Sequence, residues 1–145
     1  MLNVDEFFYK VLSSDTELKA MVDDRIFNSA RDKEADKEDK IPYIIITYEG
    51  GTAGEGDKDT RLTPLEHATV SIICCANDRE DLADLTDKVE EIISEAFEDY
   101  DEYDSDDWKF VIDNASYEAK EVMYDIDRPC YAQQLYFYCD TSRKE

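Results

Sequence analysis

Basic residues are scarce in this chain. Its 145 residues include 16 Lys and Arg against 38 Asp and Glu, which gives a formal net charge of -22. Binding to a nucleic-acid backbone requires a basic face that displaces counterions, so this balance argues against direct nucleic-acid binding. The same charge disfavours an anionic membrane surface as a partner.

Long hydrophobic runs are missing as well. No stretch approaches the roughly 20 apolar residues that cross a bilayer. The first six residues, MLNVDE, also lack the order of a signal peptide, which is basic and then apolar. We therefore expect a soluble protein that no signal peptide exports.

Cysteine and histidine are too few, and too poorly spaced, for the usual catalytic or zinc motifs. Cys74, Cys75, Cys130 and Cys139 show no CxxC spacing, and we interpret them as buried free thiols in a reducing compartment. His67 is the only histidine, and no recognisable nucleophile motif accompanies it. We expect no catalytic residues, no cofactor and no metal site, and hence no enzyme.

Glycine is confined to one stretch, residues 50–56. Gly51 and Gly56 have the spacing of a phosphate-binding loop, but Asp57 stands where that loop needs lysine, and a strand follows instead of a helix. The acidic run 99–107 invites a calcium interpretation. Counted from Asp99, however, its fifth and sixth positions are Tyr103 and Asp104, and an EF-hand loop needs glycine at the sixth. The run therefore does not encode an EF-hand.

The densest apolar run, residues 41–49, predicts a central strand. Both of its parities are apolar, so we expect one face against helices and the other against a neighbouring subunit. The sequence leaves open which parity faces the core. The candidate subunit or partner interface combines residues of this strand, the glycine-rich connection after it and the last strand: Ile44, Ile46, Tyr48, Gly50, Gly51, Gly54, Gly56, Tyr136 and Tyr138.

Helical periodicity and strand alternation predict the remaining elements. Apolar stripes predict a helix at residues 4–12, a short turn near 16–22 with Ser14 and Glu17 at capping-box spacing, and a long helix through Phe97 capped by Asn77 or Asp78. Extended pieces are predicted at 25–28, 68–76, 108–112, 115–124 and 130–139. Residues 29–40 form a charged loop and residues 98–107 an acidic turn, both surface insertions of a single domain spanning 1–145.

This order of elements resembles the tail-completion or tail-terminator proteins of long-tailed bacteriophages and prophages, the group that includes lambda-type tail terminators. The likeness is carried by the first helix, then DTELKAMV at residues 15–22, DRIF at 24–27 and IPYI at 41–44. A strand at 69–76, a helix at 81–97 and two closing strands follow in the same order.

The resemblance implies an α+β fold, with an antiparallel β-sheet of about four to five strands and two main α-helices packed on one face. It also implies a ring, a hexamer, at the head-proximal end of the tail. There the ring would stop tail-tube polymerisation and offer a joining surface to the head-completion or connector protein. The expected partners are further copies of this chain, the tail-tube protein and the connector. The expected location is the virion tail, and the host cytoplasm during assembly.

A rival hypothesis takes the net charge of -22 as its main support. It interprets the chain as an acidic inhibitor that mimics DNA and binds a basic nucleic-acid enzyme. Such a protein needs carboxylates at phosphate-like spacing on one face, whereas the acids of this sequence are spread over helix, loops and turns.

Overall fold

We describe a computed structural model of the chain, covering residues 4–30, 32, 40–53, 66–98, 110–126 and 129–143. Its elements, in chain order, are three helices and six strands: α1 Val4–Ser13, α2 Thr16–Val22, β1 Ile26–Asn28, β2 Tyr43–Ala53, β3 Glu66–Ala76, α3 Arg79–Glu98, β4 Phe110–Ala119, β5 Met123–Asp125 and β6 Cys130–Arg143. No helix in these ranges is both long enough and apolar enough to span a membrane.

All six strands belong to one sheet, in the order β1-β2-β3-β6-β4, with β5 also paired to β6. The α+β class is confirmed, but two finer expectations are wrong. The sheet has six strands, not four to five, and it is mixed because β1 pairs with β2 in parallel. The structure has a third, short helix, the two-turn α2, in addition to the two main helices. The interpretation of residues 1–145 as one domain stays a prediction.

Short acidic side chains set the helix starts. Asp15 caps α2 by accepting a hydrogen bond from the Leu18 backbone N–H at 2.9 Å, so the capping-box role predicted for Ser14 is wrong. Of the two candidates for capping α3, Asp78 accepts from the Asp81 N–H at 2.8 Å. The left-handed Asp23 then ends α2 and turns the chain into β1.

The helices cover one face of the sheet, here called the helix face. α1 packs on β1, β2 and β3, and α3 packs on β3 and β6. The apolar stripes predicted for both helices are buried there, together with the predicted face of β3: Ala68, Val70, Ile72, Cys74 and Ala76. Phe8 links the layers, since its ring centre lies 5.8 Å from that of Phe97 and 5.4 Å from that of Phe137.

The opposite side, here called the outer face, has its own small apolar cluster. The cluster contains no residue of α1, α2 or α3, and its buried members come from β2, β3 and β6: Tyr43, Ile45, Cys75 and Cys130. Cys74 and Cys75 therefore lie on opposite faces of β3, as their adjacency in a strand predicts. Most of the charged loop 29–40 and the acidic turn 98–107 lie outside the described residues.

Candidate partner-binding surfaces

In the central strand β2, the even-numbered side chains face the core, a choice that the sequence left open. Ile44 and Ile46 are fully buried in the core against the helices. Their assignment to a subunit interface is wrong, because neither side chain has surface left for a neighbour. Tyr48 lies on the same face and is partly buried against that core.

The glycine-rich stretch is described only in part. Gly50 lies at an irregularity in the β2–β3 pairing and has φ of 118°, a backbone conformation that disfavours any side chain. Gly51 resumes the ladder opposite Ala68. Gly54 and Gly56 lie outside the described residues, so their interface role stays a prediction.

Tyr136 and Tyr138 both lie on the outer face, where the alternation of β6 predicts them. Their rings are nearly parallel, 12° apart, with centres separated by 6.2 Å. Lys120 Nζ lies 5.4 Å from the Tyr136 ring centre. The Tyr138 side chain is 40% exposed, so the pair forms an accessible aromatic surface.

Glu118 ties this aromatic surface together. It accepts hydrogen bonds from Lys120 Nζ and from the Tyr138 hydroxyl, each at 2.9 Å. The bond from Lys120, followed by that from Tyr138, lowers the pKa of the Glu118 carboxyl, while the bond to Glu118 raises the pKa of Tyr138. The sequence predicted the two tyrosines but missed Glu118 and Lys120, because their proximity depends on the β4–β6 register.

Further along the outer face, the single histidine contacts a carboxylate. His67 Nδ1 lies 2.5 Å from Asp140 Oδ1, and Asn114 Nδ2 donates to the other oxygen of Asp140 at 3.4 Å. The His67 and Asp140 side chains are 52% and 42% exposed. This exposed pair is a surface interaction between strands. Within the described ranges, no three His, Cys, Asp or Glu residues lie close enough to hold a metal ion.

A groove of about 260 Å³ opens between α2, the start of α3 and one end of the sheet. Met21, Pro42 and Leu85 contribute its apolar surface, and Asp81 and Asp84 give it acidic side chains.

The free sheet edge formed by β4 and β5 was not predicted as a binding surface. Both strands pair with β6 on one side, and no described strand pairs with their other side. Several apolar side chains near β5 are exposed: Val122 37%, Met123 70%, Tyr124 53% and Ile126 81%. In the sequence the signal is only a short apolar run, residues 122–124, at the end of the extended piece predicted at 115–124.

Comparison with known proteins gives a structural relative. A chain in a solved structure described as the virion of a native gene transfer agent (GTA) particle matches with a TM-score of 0.56, over 96% of this chain and 94% of that one. The two chains share a fold. Because their sequences are 14% identical, the likeness extends to the fold alone. No protein-family model and no curated protein matches the sequence.

Proposed function

We propose that this chain is a structural, non-enzymatic protein of a phage-like virion. The observation that carries the proposal is the match of nearly the whole chain, 96%, to nearly the whole of a chain from a gene transfer agent virion. Because the match covers nearly the full length of both chains, it compares the whole order of helices and strands, which is stronger support than one shared motif. The tail-terminator-like order of sequence motifs, noted independently of that comparison, points to the same class of protein.

Within that class we propose a tail terminator or tail-completion protein. Copies of the chain would form a closed ring, a hexamer, that caps the tail tube and supplies the surface joined by the head connector. The outer face of the sheet supports this role, because it presents Tyr136 and Tyr138 on the side away from the helices. The net charge of -22 suits a ring around a channel through which DNA passes without sticking.

The first experiment measures the assembly state. We expect light scattering to give the mass of several 16.8 kDa subunits, and electron microscopy to show closed rings, alone or on tubes assembled from a tail-tube protein. A protein that stays monomeric at high concentration, and that never associates with the tube protein, would refute the assignment.

A variant pair tests whether the outer face makes the ring. Replacing Tyr136 and Tyr138 together by Ser should abolish rings while the melting temperature stays close to that of the parent, since both residues lie outside the main core. Met21→Ser changes an exposed apolar residue of α2 and serves as the control. Intact rings in the double tyrosine variant would place the interface elsewhere.

A second candidate function is the acidic DNA mimic. Six exposed carboxylates of α3 recur at helical spacing and form one stripe: Glu80, Asp84, Asp87, Glu91, Glu95 and Glu98. At about 1.5 Å per residue this stripe runs for roughly 27 Å. A mimic would displace DNA from a basic nucleic-acid enzyme in a salt-sensitive manner, and replacing the six acids by Gln or Asn would abolish that displacement. Rings in the parent protein without such competition would favour the tail terminator.

A further inference from the structure

β4 and β5 together form one long edge of the sheet. β4 pairs with β6 from Phe110 to Ala119, and β5 resumes the pairing at Met123. Between them the Lys120 backbone N–H donates to the Gln134 carbonyl at 2.9 Å, so the chain stays beside β6. Their other side has no pairing strand in the described part of the chain. Backbone N–H and C=O groups on such an edge are a template for another strand.

The β4 part of this edge carries several features that discourage pairing. Its register shifts between Ile112 and Asn114, and Glu118 and Lys120 add charges near its end. Bulges and charged side chains are common protections of free edges. β5 pairs with β6 without a register shift and carries one charge, on Asp125 at its end, while its Met123 and Tyr124 are 70% and 53% exposed.

Met123 also ends an apolar row that crosses the outer face. The register places Tyr43 beside Cys75, Cys75 beside Ala132, and Ala132 beside Met123. The first three positions are buried or partly buried in the outer-face cluster. An added strand with an apolar residue next to Met123 would extend this row and cover that side chain.

The charges around β5 select the chemistry of the added strand. Glu121 precedes the apolar residues 122–124 and Asp125 follows them. Opposite charges directly across an antiparallel pair are favourable and like charges are unfavourable. We propose that the β5 edge binds an extended segment of another protein, in which three apolar residues are flanked by basic residues.

A second copy of this chain fits the edge poorly. Its own β5 segment would bring carboxylates to carboxylates, on a chain that already carries a net charge of -22. The sequence also lacks a segment of the required pattern, since its only two bases four residues apart are Lys33 and Lys37, with Glu, Ala and Asp between them. The inference does not depend on the proposed ring, because it concerns a different surface and a different protein.

Short capped peptides test the inference. The probe is acetyl-Lys-Ile-Val-Ile-Lys-amide. Its comparison peptides carry Glu at both ends, or N-methyl groups on the backbone amides that remove hydrogen-bond donors. We expect the Lys peptide to bind about tenfold more tightly than the Glu peptide, and the N-methylated peptide to show no binding. Amide exchange should slow at residues 121–125 when the Lys peptide binds.

Charge reversal on the protein tests whether Glu121 and Asp125 determine the peptide preference. Glu121→Lys with Asp125→Lys should invert the preference, so that the Glu peptide binds better. Glu91→Lys with Glu95→Lys makes the same change of net charge on α3 and should leave the preference intact. Both pairs of residues are exposed, so we expect neither double change to disturb the fold. A melting curve of each variant checks this.

Three results would overturn the inference. The first is equal affinity for the Lys and Glu peptides, and the second is unimpaired binding of the N-methylated peptide. The third is protection of residues 121–125 by self-association of the protein alone, which would identify the occupant as a second copy. The first two outcomes do not concern contacts between copies of the chain. The third is separated from ring formation by the variant in which Tyr136 and Tyr138 are replaced by Ser, so failure here is distinguishable from failure of the proposed function.

Discussion

At the scale of single residues, the polar side chain of Asn28 lies in the interior of the fold. It is fully buried, and its side-chain amide donates to Asp5 at 3.0 Å and to Glu6 at 3.1 Å. Its side-chain carbonyl accepts from the Ala30 N–H at 3.0 Å. One short side chain thus joins the end of β1 to the first turn of α1.

Removal of this amide should destabilise the protein. We expect Asn28→Ala to lower the free energy of unfolding by about 1 to 3 kcal/mol, because hydrogen-bonding groups lose their buried partner. Urea unfolding measures the change. Asn77→Ala, at an exposed position, is the matched control, and equal stability of the two variants would contradict the role assigned to Asn28.

The buried cysteines give a second prediction at this scale. Burial, with a smaller effect of Asp140, raises the pKa of the Cys139 thiol from 9.0 to about 12, and burial also raises the pKa of Cys74. The unfolded chain loses these thiol protons near pH 9, whereas the folded chain keeps them to higher pH. The free energy of unfolding is therefore unaffected by these thiols well below pH 9, and it falls as the pH rises from 9 toward 12. Each of these two thiols should lower the free energy of unfolding by about 1.4 kcal/mol between about pH 8 and about pH 10.

Chemical denaturation at these pH values measures that loss, and Cys139→Ala should reduce it. Labelling provides an independent check, because the free thiols are buried and should react with a thiol reagent only after unfolding. Rapid labelling of Cys74 or Cys139 in the folded protein would contradict the assigned burial.

At the scale of the element, β2 contributes alternate side chains to two separate apolar clusters. Its even-numbered residues Ile44 and Ile46 pack under the helices, while Tyr43 and Ile45 belong to the outer-face cluster. We expect Ile46→Ala to lower the free energy of unfolding by about 2 to 5 kcal/mol, because it leaves a core cavity. Tyr138→Ala, on the exposed outer face, should cost under about 1 kcal/mol. Similar losses for both, measured by urea unfolding, would contradict this division of the two faces.

Gly50 provides a backbone test in the same strand. Its φ of 118° strains any residue with a Cβ, although no atom lies within 4 Å of where that Cβ would be. Gly50→Ala should therefore cost about 1 to 3 kcal/mol through conformation alone. Gly51→Ala is the neighbouring control, and a thermal melt in which both variants match the parent would refute the strain.

Sequence periodicity predicted the elements well because burial repeats along them. The stripes of α1 and α3, the alternation of β3 and the separation of Tyr136 from Leu135 and Phe137 are all found in the structure. The break between the extended pieces predicted at 108–112 and 115–124 coincides with the register shift between Ile112 and Asn114 in β4. Local sequence pattern could not predict features that depend on contacts with distant parts of the chain. Because β2 is apolar on both parities, only helix packing could assign Ile44 and Ile46 to the core.

Other misses have the same physical origin. The parallel β1–β2 pairing joins Ile26 to Ile44, and no local signal distinguishes it from an antiparallel neighbour. The Glu118–Lys120–Tyr138 network and the exposed β5 edge both depend on how β4 and β5 align with β6. For the candidate interface, the alternation of β6 identified Tyr136 and Tyr138. It carried no information about their partners.

At the scale of the whole molecule, charge is the dominant property. A net charge of -22 on 145 residues repels itself, and an ion pair such as that of Lys120 with Glu118, about half exposed, offsets little of this repulsion. The Debye length falls from about 30 Å at 0.01 M salt to about 10 Å at 0.1 M. We expect the melting temperature to rise over this range, as screening relieves the repulsion in the compact state.

Calorimetry in NaCl tests this expectation. An equivalent osmolality of sucrose is the control for effects unrelated to screening. A melting temperature that falls with added NaCl would mean that attractive ion pairs, and not self-repulsion, dominate the folded state.

The position of β6 has a consequence for synthesis. This strand is the last described element in chain order, yet it lies between β3 and β4, and its pairs join residues as distant as Glu66 and Thr141. While the ribosome adds the residues between β3 and β6, β3 has β2 on one side and an unfilled edge on the other for several seconds. The nascent chain therefore exposes the unpaired backbone N–H and C=O groups along this edge of β3 until β6 has been made, and it is at that stage that we expect chaperones to be needed most.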